Sequence, residues 1–246
     1  MSTPVFPLGT AYLPGEIVVL NIFEPRYLDL FHNHCNVKDE FVSVLIERGS
    51  EVGGDDIRCQ HGVSIVVHEI VDVDDRLVVS GVAHSIVDII EWSHEFVFPS
   101  ANVIAQSVDD IDMPDRFDVA SSLSLLAQNV RRVLAMLREA GVVQPQQNPG
   151  VALETIAAGR WWDERVTQDD LWRALWLVAR HVPCGPMDRY NLLRPGTLME
   201  KLESRMEEKL VSFFPQTQHP TSTQVHQTHH QPLFVQPLAM LQQRNA

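Results

Sequence analysis

Residues 17–28 read Ile17-Val18-Val19-Leu20-Asn21-Ile22-Phe23-Glu24-Pro25-Arg26-Tyr27-Leu28, and within them the chain passes from strand to helix with no loop between. Ile17 to Ile22 is apolar and rich in β-branched residues, which suit a pleated surface. Pro25 fits the first helical position, where its missing N–H is not needed. Glu24 sets negative charge at the positive helix end, and Phe23 is placed to staple onto Leu28. Tyr27, Leu28 and Phe31 then form an apolar stripe, and the helix should stop near Asn33 to Asn36.

Working outward, Val5-Phe6-Pro7-Leu8 is expected as a short edge strand, because proline cannot donate to a ladder, with a turn at Leu13-Pro14-Gly15. Phe41 to Glu47 alternates as a strand does. The stretch Gly49 to Asp56 is a loop whose adjacent Gly53 and Gly54 permit positive φ. Val63 to Val73, Leu77 to Ser80 and Ile86 to Ile90 are strands, with a tight turn at Asp74-Asp75-Arg76 and a kink at Gly81. Glu95 to Phe98 and Asn102 to Ser107 are expected to pair. Five or more strands with one short helix argue for a small closed or half-closed barrel.

Past Asp109 to Asp115 the pattern turns helical, with Pro114 at the boundary. Leu123, Leu126, Val130, Val133, Leu134 and Leu137 recur at three and four residues and end at Gly141. Val151 to Ala158 continues the pattern, Thr167 can cap a helix carrying Leu171, Leu175 and Val178, and that helix ends before Pro183. Pro186 to Leu193 and Pro195 to Phe213 are a last pair, the second with Leu198, Leu202, Met206 and Leu210 on one stripe. The fold class is therefore α+β: a β-barrel subdomain over 1–110, a helical bundle over 111–214, and a Gln/His/Pro-rich tail over 215–246 too polar to build a core. Leu233-Phe234-Val235 interrupts that tail either as a docking motif or, as is commoner at chain ends, incidentally.

The net charge of −13 is unevenly spread: residues 1–110 hold 5 Lys/Arg against 18 Asp/Glu, whereas the rest is balanced. A phosphate-neutralising footprint is thus missing where the strands lie, which argues against nucleic acid and against anionic membranes as partners. Cys35, Cys59 and Cys184 form no C-x-x-C pair, and no run of 18 apolar residues occurs, so a cytoplasmic protein without disulfides or membrane spans is expected.

Four stretches carry a family resemblance. Phe6-Pro7-Leu8-Gly9-Thr10 with Leu13-Pro14-Gly15 resembles the F-P-L…P-G opening of the Lon protease N-terminal (substrate-binding) domain, and Leu20 to Tyr27 resembles its L-x-I-F-E-P-R-Y signature. Glu47 to Gly54 is similar to a loop of stand-alone bacterial members, and Gly185 to Leu193 followed by Leu202 to Leu210 to the helical end. The resemblance implies a PUA-like barrel followed by a bundle, and recognition of unfolded or tagged polypeptides, with delivery to a separate protease as one use. Ala83-His84-Ser85 departs from the family, which carries an arginine and an aromatic or apolar residue after Gly81.

No G-x-x-x-x-G-K-[ST] loop is present to cradle ATP phosphates, and none of Lys38, Lys201 and Lys209 stands in the setting of a Ser–Lys dyad, so no catalysis and no cofactor are expected. His32, His34 and Cys35 with Cys59 and His61 offer zinc-type ligands, but at spacings that match no standard pair. A metal-dependent enzyme and a PUA-like RNA binder stand as the alternatives. Trp161-Trp162 and Trp172/Trp176 offer an aromatic platform but fit core packing better. The substrate-binding candidates are Phe23, Glu24, Arg26 and Tyr27 at the strand-to-helix switch, and Arg48, Glu51, Gly53 and Gly54 in the loop, since binding residues concentrate on loops held by a rigid scaffold. For Arg26, an ion pair with Glu24 or Glu47 is the competing role.

Overall fold

A computed structural model of the chain describes residues 2–51, 56–106, 119–139, 168–182 and 184–213. The chain divides into two units, Met1–Phe214 and Pro215–Ala246, and every described residue belongs to the first. The architecture is mixed α+β. Six strands, β1 (Thr3–Leu8), β2 (Ile17–Ile22), β3 (Glu40–Arg48), β4 (Ile57–Val73), β5 (Arg76–Ser93) and β6 (Ser100–Ala105), form one sheet in the order β2-β5-β4-β3-β1-β6. β6 also pairs with β5, so the ladder from β5 through β4, β3 and β1 to β6 returns to its start.

That return changes the place of the first strand. β1 runs parallel to β3 over Val5–Leu8 and antiparallel to β6 at Thr3 and Pro4, so its first residues are interior while the stretch around Pro7 is flanked on one side, as its proline suggests. Pro7 is tolerated because pairing with β6 has ended by then, leaving β3 as the flanking strand there. Among the described residues β2 is flanked on one side along its whole length, pairing with β5 from Ile17↔Val82 to Ile22↔Leu77.

β4 and β5 make one long hairpin closed at Asp74-Asp75, with Asp74 at φ 53°, a conformation that Asp tolerates. β5 passes unbroken through Gly81, where the sequence suggests a kink. Its bending comes from an extra residue on β4 between Val67 and Glu69, and from another on β5 between Ala83 and Ile86. Ser64 Oγ accepts the Ser85 N–H at 3.2 Å inside the second bulge, within the stretch Ala83-His84-Ser85. Glycine is needed at 81 for closeness: a Cβ there would lie 2.5 Å from the Val66 carbonyl oxygen. Glu95–Phe98 is not a strand. β5 itself runs on to Ser93 and takes β6 as partner, so the apolar residues between them anchor a connection, with Phe96 and Phe98 stacked at 4.8 Å.

The first helix, α1 (Pro25–Asp29), starts at Pro25 and widens into a π-helical turn over Leu30–His34. Tyr27, Leu30 and Phe31 are buried on it, while Phe23 stays 60% exposed, so the staple onto Leu28 does not bury it. The remaining described helices are α2 (Val119–Glu139), α3 (Gln168–His181), α4 (Pro186–Leu193) and α5 (Leu198–Phe213). The last begins later than Pro195 because Gly196, at φ 116°, breaks the helical path. α2, α3 and α5 pack together through Leu126, Val130, Leu134, Leu175, Val178, Leu202 and Met206, and α4 rests on β3 and β4.

Two arginines tie these helices to the turn between β1 and β2: Arg180 donates to the Pro14 carbonyl at 2.9 Å and Arg189 to the Ala11 carbonyl at 2.8 Å. One apolar core spans sheet and helices, and a smaller cluster of Val5, Val42, Val44, Val87, Ile89 and Ala101 lies apart from it. The boundary at Pro114, the segment 151–158, Gly141, Thr167 and the tail lie outside the described residues. No helix among the described residues is long and apolar enough to cross a membrane.

Candidate functional site

β2 carries apolar side chains on both of its faces. Val18, Leu20 and Ile22 point into the core, while Ile17 and Val19 are 76% and 55% exposed. Solvent-facing positions of an unguarded edge strand normally carry charge, because exposed β-branched residues beside unpaired N–H and C=O groups invite another strand. Here nothing between Ile17 and Ile22 is charged.

Beside β2 opens a cleft of about 260 Å³. One wall is Phe6, Leu8, Thr10 and Tyr12, and the other is Val19 to Glu24, with Tyr27 and Glu51 completing the lining. Both walls come from strands that lack one neighbour, β1 beyond Pro4 and β2 along its length. The floor is rigid: the Tyr27 ring stacks on Phe6 at 4.0 Å and 28°, and burial pushes the Tyr27 phenol up to about 12. Burial, then the Glu16 and Glu51 carboxylates, also raise the Tyr12 phenol.

The rim is a short polar network. Arg26 Nε donates to Glu24 at 3.0 Å, its guanidinium lies 4.6 Å over the Tyr27 ring, and its NH2 reaches the Glu51 carbonyl at 3.4 Å. The Gly9 N–H donates to Glu51 Oε1 at 2.5 Å. Arg26 thereby holds α1 to the loop after β3, fixing the rim.

Of the sequence candidates, Phe23, Glu24, Tyr27 and Glu51 line this cleft and Arg26 stands beside it. Arg48 does not line it; it is exposed at the end of β3, in register with Ile57. Gly53 and Gly54 lie outside the described residues. The sequence reading missed the opposite wall and the outward face of β2. A signal was present for the second: a run apolar at both odd and even positions, ending a strand beside charged residues, fits neither a solvated face nor a polar edge.

The thiol and imidazole candidates are dispersed. Cys35 is buried and its thiol is pushed up to about 12 by burial, which leaves it protonated and a poor ligand or nucleophile. Burial also raises Cys59, which bonds to Tyr190. His61 Nδ1 lies 2.5 Å from Asp88 Oδ1, which also accepts Gln106 Nε2 at 2.8 Å, while His34 packs on Phe96 and Phe98. No three His, Cys, Asp or Glu side chains converge on a metal site among the described residues. Trp176 is buried and meets the half-buried Trp172 edge to face at 5.1 Å, whereas Trp161 and Trp162 lie outside the described residues.

A groove with apolar walls, a rigid floor and open strand edges can hold an extended chain by main-chain hydrogen bonds and alternate side-chain contacts. Comparison with known proteins bears on that chemistry. The model of the ATP-dependent protease La (LON) substrate-binding domain matches residues 2–208. The crystal structure of a Lon N-terminal domain protein from Xanthomonas campestris superposes with TM-score 0.54 at 20% identity, over 84% of this chain and 98% of that one. The N-terminal domain of the Mycobacterium avium complex Lon protease does so with TM-score 0.53 at 14% identity, over 88% and 100%. At such identities the two structures speak for the fold alone. No curated protein matches the chain.

Proposed function

The chain belongs to the LON substrate-binding domain family, and from that premise we propose that it is a non-catalytic recognition module that takes extended segments of unfolded or tagged polypeptides into the cleft beside β2. The observation that carries the reading is the uncharged free edge of β2, with Val19 exposed on it and Phe23 exposed immediately after it, at the mouth of the cleft. Strand addition there supplies main-chain bonds irrespective of client sequence, and the apolar walls select segments that a folded protein would hide. Delivery of the bound client to a separate cytoplasmic protease is the use we assign to it.

The return of the ladder to β5, together with the second apolar cluster, supports reading the sheet as a small PUA-like barrel. The packing of α2, α3 and α5 supports reading 111–214 as a bundle subdomain beside a 1–110 barrel subdomain, with 215–246 as a tail. The acidic first half favours neutral or basic segments over RNA.

The test is binding of an N-terminally fluorescein-labelled octapeptide of alternating Ser and Val ending in Leu, followed by anisotropy. Wild type should bind in the micromolar range, and Phe23→Ala with Val19→Thr should weaken binding by about tenfold while the urea midpoint is kept. Unchanged affinity in that variant rules out the cleft, and absence of binding by wild type rules out the recognition role.

A further inference from the structure

A second hollow, of about 510 Å³, lies between α3 and the sheet, bounded by Pro14 and Gly15 before β2, by Val82 to His84 on β5, and by Trp172, Arg173, Trp176, Leu177 and Arg180 of α3. Its walls are mainly apolar. Its charged or titratable side chains are Arg173, Arg180 and His84, and its lining includes no carboxylate. This is the opposite sign to the surrounding half of the chain, where residues 1–110 carry 18 acids against 5 bases. Glu16, which acts on Arg180 through space, is itself held by Arg189. Arg180 is fixed by its bond to the Pro14 carbonyl, and a guanidinium with five N–H donors is not exhausted by one acceptor.

The hollow and the cleft lie at opposite ends of one strand. Ile17, the first residue of β2, pairs with Val82 of the hollow, while the far end of β2 enters the cleft. Six extended residues span roughly 20 Å. A segment added antiparallel to β2 runs from the Phe23 end towards the Ile17 end, so its C-terminus is directed towards the end of β2 that the hollow adjoins at Pro14 and Gly15.

We propose that this hollow receives the C-terminal residue of a bound polypeptide, an apolar side chain against Trp172 and Leu177 and the terminal carboxylate on Arg173 and Arg180. The inference rests on the polypeptide-recognition reading and adds a preference for chain ends to it. Charge-assisted bonds from a guanidinium to a carboxylate are among the strongest polar contacts available, and arginine presents them in a planar fork.

The same labelled octapeptide, made with a free C-terminal carboxylate, with a C-terminal amide, and as an amide carrying Asp at the penultimate position, tests it by anisotropy. The free acid should bind about tenfold more tightly than the amide, and the internal Asp should not restore the difference. The net charge of −13 biases the comparison towards the amide, so a preference for the acid cannot come from the overall field. Arg173→Gln, at a position reached by solvent, should shrink the acid-to-amide ratio below about threefold, and Trp172→Ala, which removes the wall for the C-terminal side chain, should weaken acid and amide alike. Equal affinity of acid and amide for wild type overturns the proposal, as does restoration by the internal Asp.

Phe23→Ala separates the two readings. If both peptides weaken in that variant but acid and amide are equal in wild type, the cleft stands and the chain-end site falls. If the acid preference persists and Phe23→Ala changes nothing, the chain-end site stands and the cleft falls. No binding of any peptide overturns both.

Discussion

Arg189 and Glu16 meet across 173 positions of sequence, the Arg189 NH2 donating to both carboxylate oxygens, at 2.6 Å and 2.5 Å. Glu16 in turn accepts the Leu13 N–H at 2.8 Å, and Arg189 Nε donates to the Ala11 carbonyl, so one pair sets the turn that leads into β2 and fastens α4 to it.

Arg189→Ala leaves a mostly buried carboxylate without its cation and should cost about 2–3 kcal/mol. Urea unfolding should show a lower midpoint at unchanged slope. A loss below about 0.5 kcal/mol would mean the turn holds itself.

Alkaline pH should loosen the fold through two groups. The ordinary values are 9.0 for the Cys35 thiol and 10.0 for the Tyr27 phenol, and burial raises both to about 12. The folded chain therefore holds these protons more tightly than the unfolded one, so their contribution is complete below pH 9 and is lost as pH rises towards 12. Cys35→Ala should flatten the fall of the urea midpoint above pH 9. In native protein, a thiol reagent should modify the half-buried Cys184 well before Cys35, and the reverse order would contradict the burial of Cys35.

Gly81→Ala should destabilise by about 2 kcal/mol or more, because the new methyl meets backbone, at the Val66 carbonyl, and the branch of Ile65 at 2.9 Å. Gly62→Ala meets the Ser43 carbonyl in the same way and should behave alike. Thermal melts read both, and a melting temperature within a degree of wild type would show that β5 can part from β4, or β4 from β3 for Gly62→Ala, without cost.

Ile17→Thr and Val19→Thr replace side chains that solvent already reaches, so their stability should stay within about 0.5 kcal/mol of wild type. Peptide binding should nonetheless fall several-fold with Val19→Thr. A stability loss above about 2 kcal/mol would reassign these residues to the core.

The strand-to-helix switch was legible because its signals are local: Pro25 at the first helical position, a β-branched run before it and an apolar stripe after it. The α+β class and helices 186–193 and 168–181 follow from similar local patterns. What escaped the sequence were facts about partners. Pro4 looks like an edge residue until β6, about a hundred positions away, is known to return beside Thr3, whereas Pro7 keeps the one-sided place it suggests. Phe96 and Phe98 read as strand residues because aromatics favour strands, yet they serve as anchors under His34. Phe23, Glu24, Tyr27 and Glu51 of the site were readable from a motif, whereas Thr10 and Tyr12 enter the cleft through a fold-back with no local mark.

Pairing β1 with β3 and β6 has a price in time. On a ribosome β1 emerges well before its last neighbour, which is not complete until residue 105. At synthesis rates of about 5–20 residues per second, that leaves Phe6 and Leu8 waiting roughly 5–20 s for a closed ring. The first strand of the sheet to be made thus waits for one of the last, and nascent-chain proteolysis should cut near it until β6 has emerged.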